Sequence, residues 1–343
     1  MARLILDRVT KRFGADRPAV DALSLDIEPG TFLALLGPSG CGKTTTLRMI
    51  AGFEEPTAGT IRLGDRLLAG GKHFVPPEQR NMAMVFQSHA LWPHMTVAEN
   101  VGYPLKVRGM AAAARRAKVD AALETVALTA FRDRRPADLS GGQRQRVALA
   151  RCLVTDPDVI LFDEPLASLD RHLKASLEQA FRDFHRATGA TMVYVTHDQA
   201  EAMALADKVA VMSEGRIAQL DAPDAIYRHP ENAAVAGLIG VGAILDMLLP
   251  ASTPRELGPA ALAAGFDRTR SGVPARVLVR PEDVVQGPGG LAFTVADCVF
   301  RGERYALLLE HESGRRLTAW SRTPVAAGER LSFALMRGWR LAD

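Results

Sequence analysis

Phe32-Leu-Ala-Leu-Leu-Gly37-Pro-Ser-Gly-Cys-Gly-Lys43-Thr44 is the stretch that decides the fold. Five apolar residues read as a strand buried on both faces. Gly37 to Thr44 then fits GxxxxGK[ST] without a gap, and Thr44–Ala51 reads as the helix that should follow. Glycines let a loop fold its amides around phosphate, and a helix N-terminus adds a favourable dipole. Lys43 is placed to reach the β- and γ-phosphates, and Thr44 to offer its hydroxyl to Mg²⁺. A bare Gly-rich turn explains the glycines, but not the agreement of strand, loop and helix.

Working outward, Val159–Phe162 and Met192–Val195 are again nearly continuously apolar, with helical spacing between them at Val119, Ala122, Leu123 and Val126. Alternating strands and helices predict an α/β fold with a parallel sheet. Leu4–Phe13 alternates like a half-exposed strand of a flanking antiparallel layer. Near residue 236 the texture changes. Strand-like runs at Ala275–Val279, Leu291–Val299, Arg304–Leu309 and Arg330–Leu335 predict a small all-β domain over 236–343, with an irregular segment at 246–274. The first domain is expected over 1–235.

Two further segments carry chemistry. Val159-Ile-Leu-Phe-Asp-Glu164 ends a buried strand in two carboxylates. Asp163 is expected to serve the metal, and Glu164 to polarise a water attacking in line with the γ-phosphate. Leu139-Ser-Gly-Gly-Gln143 opens a helix-forming run, which sets Ser140 and two glycines at a second anion-binding helix start. One nucleotide needs one cradle, so the second points to a neighbour's nucleotide.

In this order the motifs closely resemble those of the ATP-binding cassette (ABC) ATPases, strongly over about 1–240 and moderately beyond. The resemblance implies a P-loop cassette with a helical subdomain at about 88–155. It implies a homodimer that sandwiches two ATP molecules with Mg²⁺. The nucleotide is then held by Phe13, Gly37, Pro38, Ser39, Gly40, Cys41, Gly42, Lys43, Thr44 and Thr45, and across the dimer by Ser140, Gly141, Gly142, Gln143 and Asp170. Thr44, Gln87 and Asp163 are the implied metal residues, and Glu164, His197 and Gln87 the catalytic ones. Phe13, as the adenine-stacking aromatic, has a plain alternative: a strand-end core residue.

Gln87-Ser-His-Ala-Leu-Trp92-Pro-His-Met-Thr-Val-Ala-Glu-Asn100 resembles importer ATPases of the sugar, polyamine and ferric-iron group. This implies a separate integral-membrane permease docking near Ala90, Leu91, Trp92 and Met95, a periplasmic solute-binding protein acting indirectly, and a peripheral place on the cytoplasmic face of the cell membrane. For Leu91, core packing is an equal reading. Val279-Arg-Pro-Glu-Asp-Val284 resembles the small OB-like (TOBE) domain that follows such ATPases. The alternatives are a soluble ABC ATPase in another role, or a regulatory module acting through the C-terminal domain. About a hundred residues without heptads between loop and signature argue against DNA-end types.

Composition agrees and excludes. The 343 residues hold 42 Lys+Arg and 39 Asp+Glu, a net charge of +3, which gives no argument for nucleic acid. Arg132, Arg134, Arg135, Arg144 and Arg146 read as a solvated face. With 48% apolar residues a sizeable core is expected. No apolar run is long enough to span a membrane. Cys41, Cys152 and Cys298 lie too far apart for a disulfide framework. Cys41 reads first as a small filler; the alternative is a thiol whose pKa the helix start and Lys43 lower, in which case a thiol reagent should inhibit turnover and ATP protect.

Overall fold

The computed structural model describes residues 2–14, 17–85, 90–167, 171–267 and 271–342, with backbone alone at 171–173. The chain divides into two compact units, 1–223 and 224–343.

The first unit runs β1 (Leu4–Lys11), β2 (Val20–Ile27), β3 (Phe32–Leu36), α1 (Lys43–Ala51), β4 (Ala58–Leu63), β5 (Arg66–Gly70), β6 (His73–Phe74) and β7 (Met82–Val85). It continues with α2 (Val97–Val107), α3 (Ala112–Thr125), α4 (Gly141–Leu153), β8 (Val159–Asp163), α5 (Arg171–Thr188), β9 (Thr191–Thr196), α6 (Gln199–Leu205), β10 (Lys208–Ser213) and β11 (Arg216–Asp221). One sheet has the order β11-β10-β3-β9-β8-β7, parallel except for the edge pair β10–β11. Every residue of β3 and β9 is buried, as strands covered on both faces require. A second, antiparallel sheet has the order β2-β1-β4-β5-β6. Its buried residues, including Leu4, Leu6, Val20 and Leu25, share one core with α1 and with Leu33 and Leu35 of β3. The other face of the parallel sheet packs with α2, α3 and α4 around Phe162, Phe181 and Tyr194. Each such fully buried side chain contributes roughly 1.5–3 kcal/mol.

The second unit runs α7 (Pro223–Arg228), α8 (Ala233–Leu238), β12 (Ala243–Leu249), β13 (Glu256–Leu257), α9 (Pro259–Gly265), β14 (Val273–Val279), β15 (Val284–Phe300), β16 (Tyr305–His311), β17 (Arg316–Ser321), β18 (Arg330–Leu335) and β19 (Gly338–Arg340). Its sheets, β12-β14-β19-β13 and β17-β16-β15-β18, enclose one apolar core and form an OB-like half-barrel.

Two expectations are corrected here. The division falls at 223/224, not 235/236. Buried Arg280 explains why: its guanidinium donates to the carbonyls of Tyr227 (2.8 Å) and Ile239 (2.7 Å) and lies 4.1 Å over the Tyr227 ring. Residues 224–240 therefore belong with the β unit. The stretch 246–274 is also not simply irregular. β12 enters it and pairs with β14 from Ala243↔Val279 to Leu249↔Val273. Leu245, Met247 and Leu249 face the core while Asp246 points out, so the acid that broke the apolar run in sequence marks the outer face of a strand.

Candidate functional site

The parallel register builds the site. Leu36 lies opposite Thr196, Asp163 opposite Val195, and Val85 opposite Phe162. The loops leaving β3, β9 and β8 therefore start side by side at the carboxyl ends of the strands, where ligands bind in such sheets. They bring together Gly37–Thr44, His197 and Asp163-Glu164. Gln87, with Phe86, lies beyond β7 and outside the described residues, as does Asp170.

Within the loop, Gly42 is the N-cap of α1 at φ 101, a left-handed conformation that favours glycine. A Cβ on Gly37 would stand 2.3 Å from the Met212 carbonyl oxygen, so only glycine lets the loop leave β3 this closely. Lys43 is 5% exposed, and its ammonium donates to the carbonyls of Gly37 (2.8 Å) and Pro38 (3.0 Å). Thr46 Oγ1 donates to the Gly42 carbonyl at 2.9 Å and closes the first turn. At the far end of α1, buried Arg80 donates to the carbonyls of Met49 and Ile50, both at 2.7 Å, fixing the helix that presents the loop.

Thr44 Oγ1 donates to Asp163 Oδ1 at 3.2 Å. Burial pushes the Asp163 carboxyl above the usual carboxylate range, against the opposing pull of Thr44 and Arg48. Glu164 follows in a left-handed backbone conformation, φ 46, with its N–H on the Val195 carbonyl at 3.1 Å. Such strain in a residue with a Cβ persists only where the surroundings impose it. Its carboxylate lies 3.1 Å from His197 Nδ1.

These residues fit a hard divalent cation and a polyphosphate. Thr44 and Asp163 present two oxygens within hydrogen-bond reach of each other, and an ammonium lies inside the glycine loop. Among the described residues no cluster of three or more His, Cys, Asp or Glu could hold a metal. Mg²⁺ bound through one or two side chains plus substrate phosphates needs none.

The signature segment starts α4. Ser140 Oγ accepts from the Gln143 N–H at 3.3 Å, and Gln143 Oε1 accepts from the Ser140 N–H at 2.9 Å, a capping box. Phe13 is 58% exposed, which sets aside its reading as a core residue, and Lys11 Nζ stands 4.9 Å from its ring. Leu91 packs against the core. Trp92 is partly buried, 4.5 Å from the Tyr103 ring, with the Arg151 guanidinium 5.1 Å over it.

Cys41 favours the filler reading over the activated thiol. It is 4% exposed, and burial pushes its thiol up, outweighing the nearby Lys43 ammonium. Burial likewise pushes Cys152 up to about 12. Neither thiol is activated.

A cluster not singled out from the sequence stands behind His197. Lys174 Nζ donates to Glu201 Oε1 (2.9 Å) and to Asp198 Oδ2 (3.0 Å), while Tyr194 and Thr196 hydroxyls donate to Glu201 Oε2 at 2.9 and 2.8 Å. The only sequence signal was two acids, Asp198 and Glu201, closely following the histidine. Their lysine partner is more than twenty residues away in the chain.

Comparison with known proteins now bears on this geometry. The pattern of the family described as ABC transporter matches residues 20–167. The diacetylchitobiose uptake system ATP-binding protein MsiK of Streptomyces coelicolor is 45% identical, over 86% of this chain and 80% of that protein. The spermidine/putrescine import ATP-binding protein PotA of Pseudomonas aeruginosa is 44% identical, over 92% and 89%. A dimeric structure of the ATP-binding cassette MJ0796 bound to ADP and Pi is 30% identical, covering 64% of this chain and 98% of that one with a TM-score of 0.55. With loop, signature, paired carboxylates and histidine in that order along the chain, the chain belongs to the ABC transporter family, as an ATP-hydrolysing subunit of the import type.

Proposed function

We propose that two copies of this chain close head to tail on two ATP molecules and so drive uptake of a small solute through a separate permease. The observation that carries this reading is the register that sets Gly37, Glu164 and His197 side by side at the carboxyl ends of the parallel strands.

Each chain contributes its own part of the reaction. Lys43 exchanges the carbonyls of Gly37 and Pro38 for β- and γ-phosphate oxygens, replacing neutral acceptors by charged ones. The loop from Gly37 to Thr45 wraps the phosphates, and exposed Phe13 stacks on the base. Thr44 and Asp163, with Gln87, would hold Mg²⁺, which when bound neutralises phosphate charge. Glu164 orients a water and takes up its proton as the water attacks the γ-phosphate; His197, tethered to Glu164, donates to the γ-phosphate. From the other copy, the first-turn amides of Gly141 and Gly142 meet the same phosphate: the capping box pairs Ser140 with Gln143 and leaves the other first-turn N–H groups without a partner inside the helix. Asp170 completes the contact across the dimer. ATP binds the closed state better than the open one, and hydrolysis removes that preference.

The permease docks on the helical subdomain. Beside Trp92 and Tyr103 lies a cavity of about 310 Å³ lined by Met95, Glu99, Tyr103, Lys106, Val119 and Arg132, wide enough for side chains of a short helix. Within the basic cluster Arg132 pairs with Asp120 and Arg134 lies over Phe131. No helix among the described residues is long and apolar enough to cross a membrane. The chain then acts at the cytoplasmic face of the cell membrane, with a periplasmic solute-binding protein feeding the permease. The β-rich unit is a TOBE-like domain. The solute is set by permease and binding protein: the relatives named above serve a disaccharide and polyamines.

The test is co-expression with a permease of the import type. The wild-type chain should sediment with membranes and hydrolyse Mg-ATP. Trp92→Ala should bind ATP normally yet lose membrane retention by about tenfold, the effect of removing an aromatic anchor. Unchanged retention would contradict the docking site.

A further inference from the structure

Behind His197 stands a frame of hydrogen bonds that no catalytic motif accounts for. Glu201 is 2% exposed, and three side chains donate to it: Lys174 at 2.9 Å, Tyr194 at 2.9 Å and Thr196 at 2.8 Å. Thr196 Oγ1 in turn accepts from the Asp198 N–H at 2.9 Å, and Asp198 Oδ2 accepts from Lys174 at 3.0 Å. Asp198 also caps α6 through the Ala200 N–H at 2.8 Å. Both chain neighbours of His197 are therefore fixed on one carboxylate and one ammonium. The Tyr194 ring anchors the whole in the core, 5.8–5.9 Å from the rings of Phe32, Phe162 and Phe181.

A buried carboxylate with its lone pairs taken is costly to assemble, and apolar residues of the same volume would be no less stable. Its placement is better explained by what it orients. Lys174 sits in the first turns of α5, which begins directly after Ser168-Leu-Asp170, the segment proposed to cross the dimer. The same ammonium thus joins that helix to the histidine loop.

We infer that Glu201 and Lys174 are positioning residues for the hydrolysis step: they hold His197 against Glu164 and link its place to that of α5. This rests on the reading of His197 given above. The frame acts through geometry, so its loss lowers turnover without weakening nucleotide binding.

The experiment measures kcat, KM and binding of a fluorescent ATP analogue for Glu201→Gln, Lys174→Met, Lys174→Arg, His197→Ala and the pair Glu201→Gln/His197→Ala. Glu201→Gln and Lys174→Met should lose about tenfold to 100-fold in kcat with KM and analogue affinity within about twofold. Lys174→Arg, which keeps the charge and the donors, should restore most of the activity. The double variant should be no slower than His197→Ala alone, since a residue acting through another adds nothing once that one is gone. Wild-type kcat in Glu201→Gln, or losses that multiply in the double variant, overturn the frame. Wild-type turnover in His197→Ala instead overturns the role of His197 itself. Analogue binding identifies any variant that failed to fold, and Lys174→Arg then carries the test: a loss in it as large as in Lys174→Met overturns the proposal.

Discussion

His197 Nδ1 and Glu164 Oε2 lie 3.1 Å apart, although the two residues leave different strands of the parallel sheet. In the proposed reaction this contact joins the group that would orient water to the group that would donate to the γ-phosphate. It already exists in a single chain, so assembly of the dimer has only to bring the opposite signature helix. His197→Ala should therefore cut kcat by about 100-fold or more, the usual effect of removing one preorganised donor. KM for ATP should shift little. Steady-state kinetics on the purified protein decide it, and a rise in KM with unchanged kcat would assign His197 to binding alone.

Asp163 predicts a pH and a metal effect together. Its folded pKa is raised by burial, so just above its ordinary value of 3.8 the folded chain holds more protons than the unfolded one. Stability from this group is gained as pH falls through that window and is absent at neutral pH. Asp163→Asn mimics the protonated form and should raise the Tm of the metal-free protein. The same variant should weaken Mg²⁺ dependence of hydrolysis by about 10–100-fold, the scale for a perturbed metal ligand shell. A lower Tm would mean that the Thr44 contact outweighs the burial.

Cys41 should be slow toward maleimide in the folded protein, because its thiol is buried and its pKa raised. Partly exposed Cys298 should label first. Mass spectrometry of a time course separates the two, and rapid ATP-protected labelling of Cys41 would restore the expectation drawn from sequence.

In the β-rich unit, His311 packs edge-on against Phe266 (4.8 Å) and Phe293 (5.3 Å). Burial holds its pKa below 6.5, with Glu312 opposing and Arg315 and Arg330 reinforcing. As pH falls from about 6.5 the unfolded chain takes up the proton first, so stability declines until the folded pKa is reached. Tm between pH 8 and 5 should fall in the wild type and flatten in His311→Gln. Equal slopes would remove His311 as the cause.

The nucleotide site was legible because each motif sits at a change of period. Phe32–Leu36, Val159–Phe162 and Met192–Val195 are continuous apolar runs, and a run that long and uniform is a strand whose end must be a loop. What escaped reading depends on long-range burial. Arg280 claims residues 227–241 for the second unit through carbonyls that carry no sequence mark. β12 was hidden because Asp246 sits where alternation places it. An activated Cys41 stayed open in the sequence because proximity to Lys43 is local, whereas the desolvation that decides for the filler is set by the fold. Lys174 and Glu201 meet only once α5 and α6 pack.

In the proposed cycle Glu164 drives hydrolysis within a closed, ATP-bound dimer. The most direct measurement is size-exclusion chromatography with light scattering on Glu164→Gln, with and without Mg-ATP, beside a phosphate-release assay. Turnover should be negligible, and the dimer should persist while ATP is present and dissociate when it is removed. Full turnover by Glu164→Gln, or a chain that stays monomeric in saturating Mg-ATP, would contradict it.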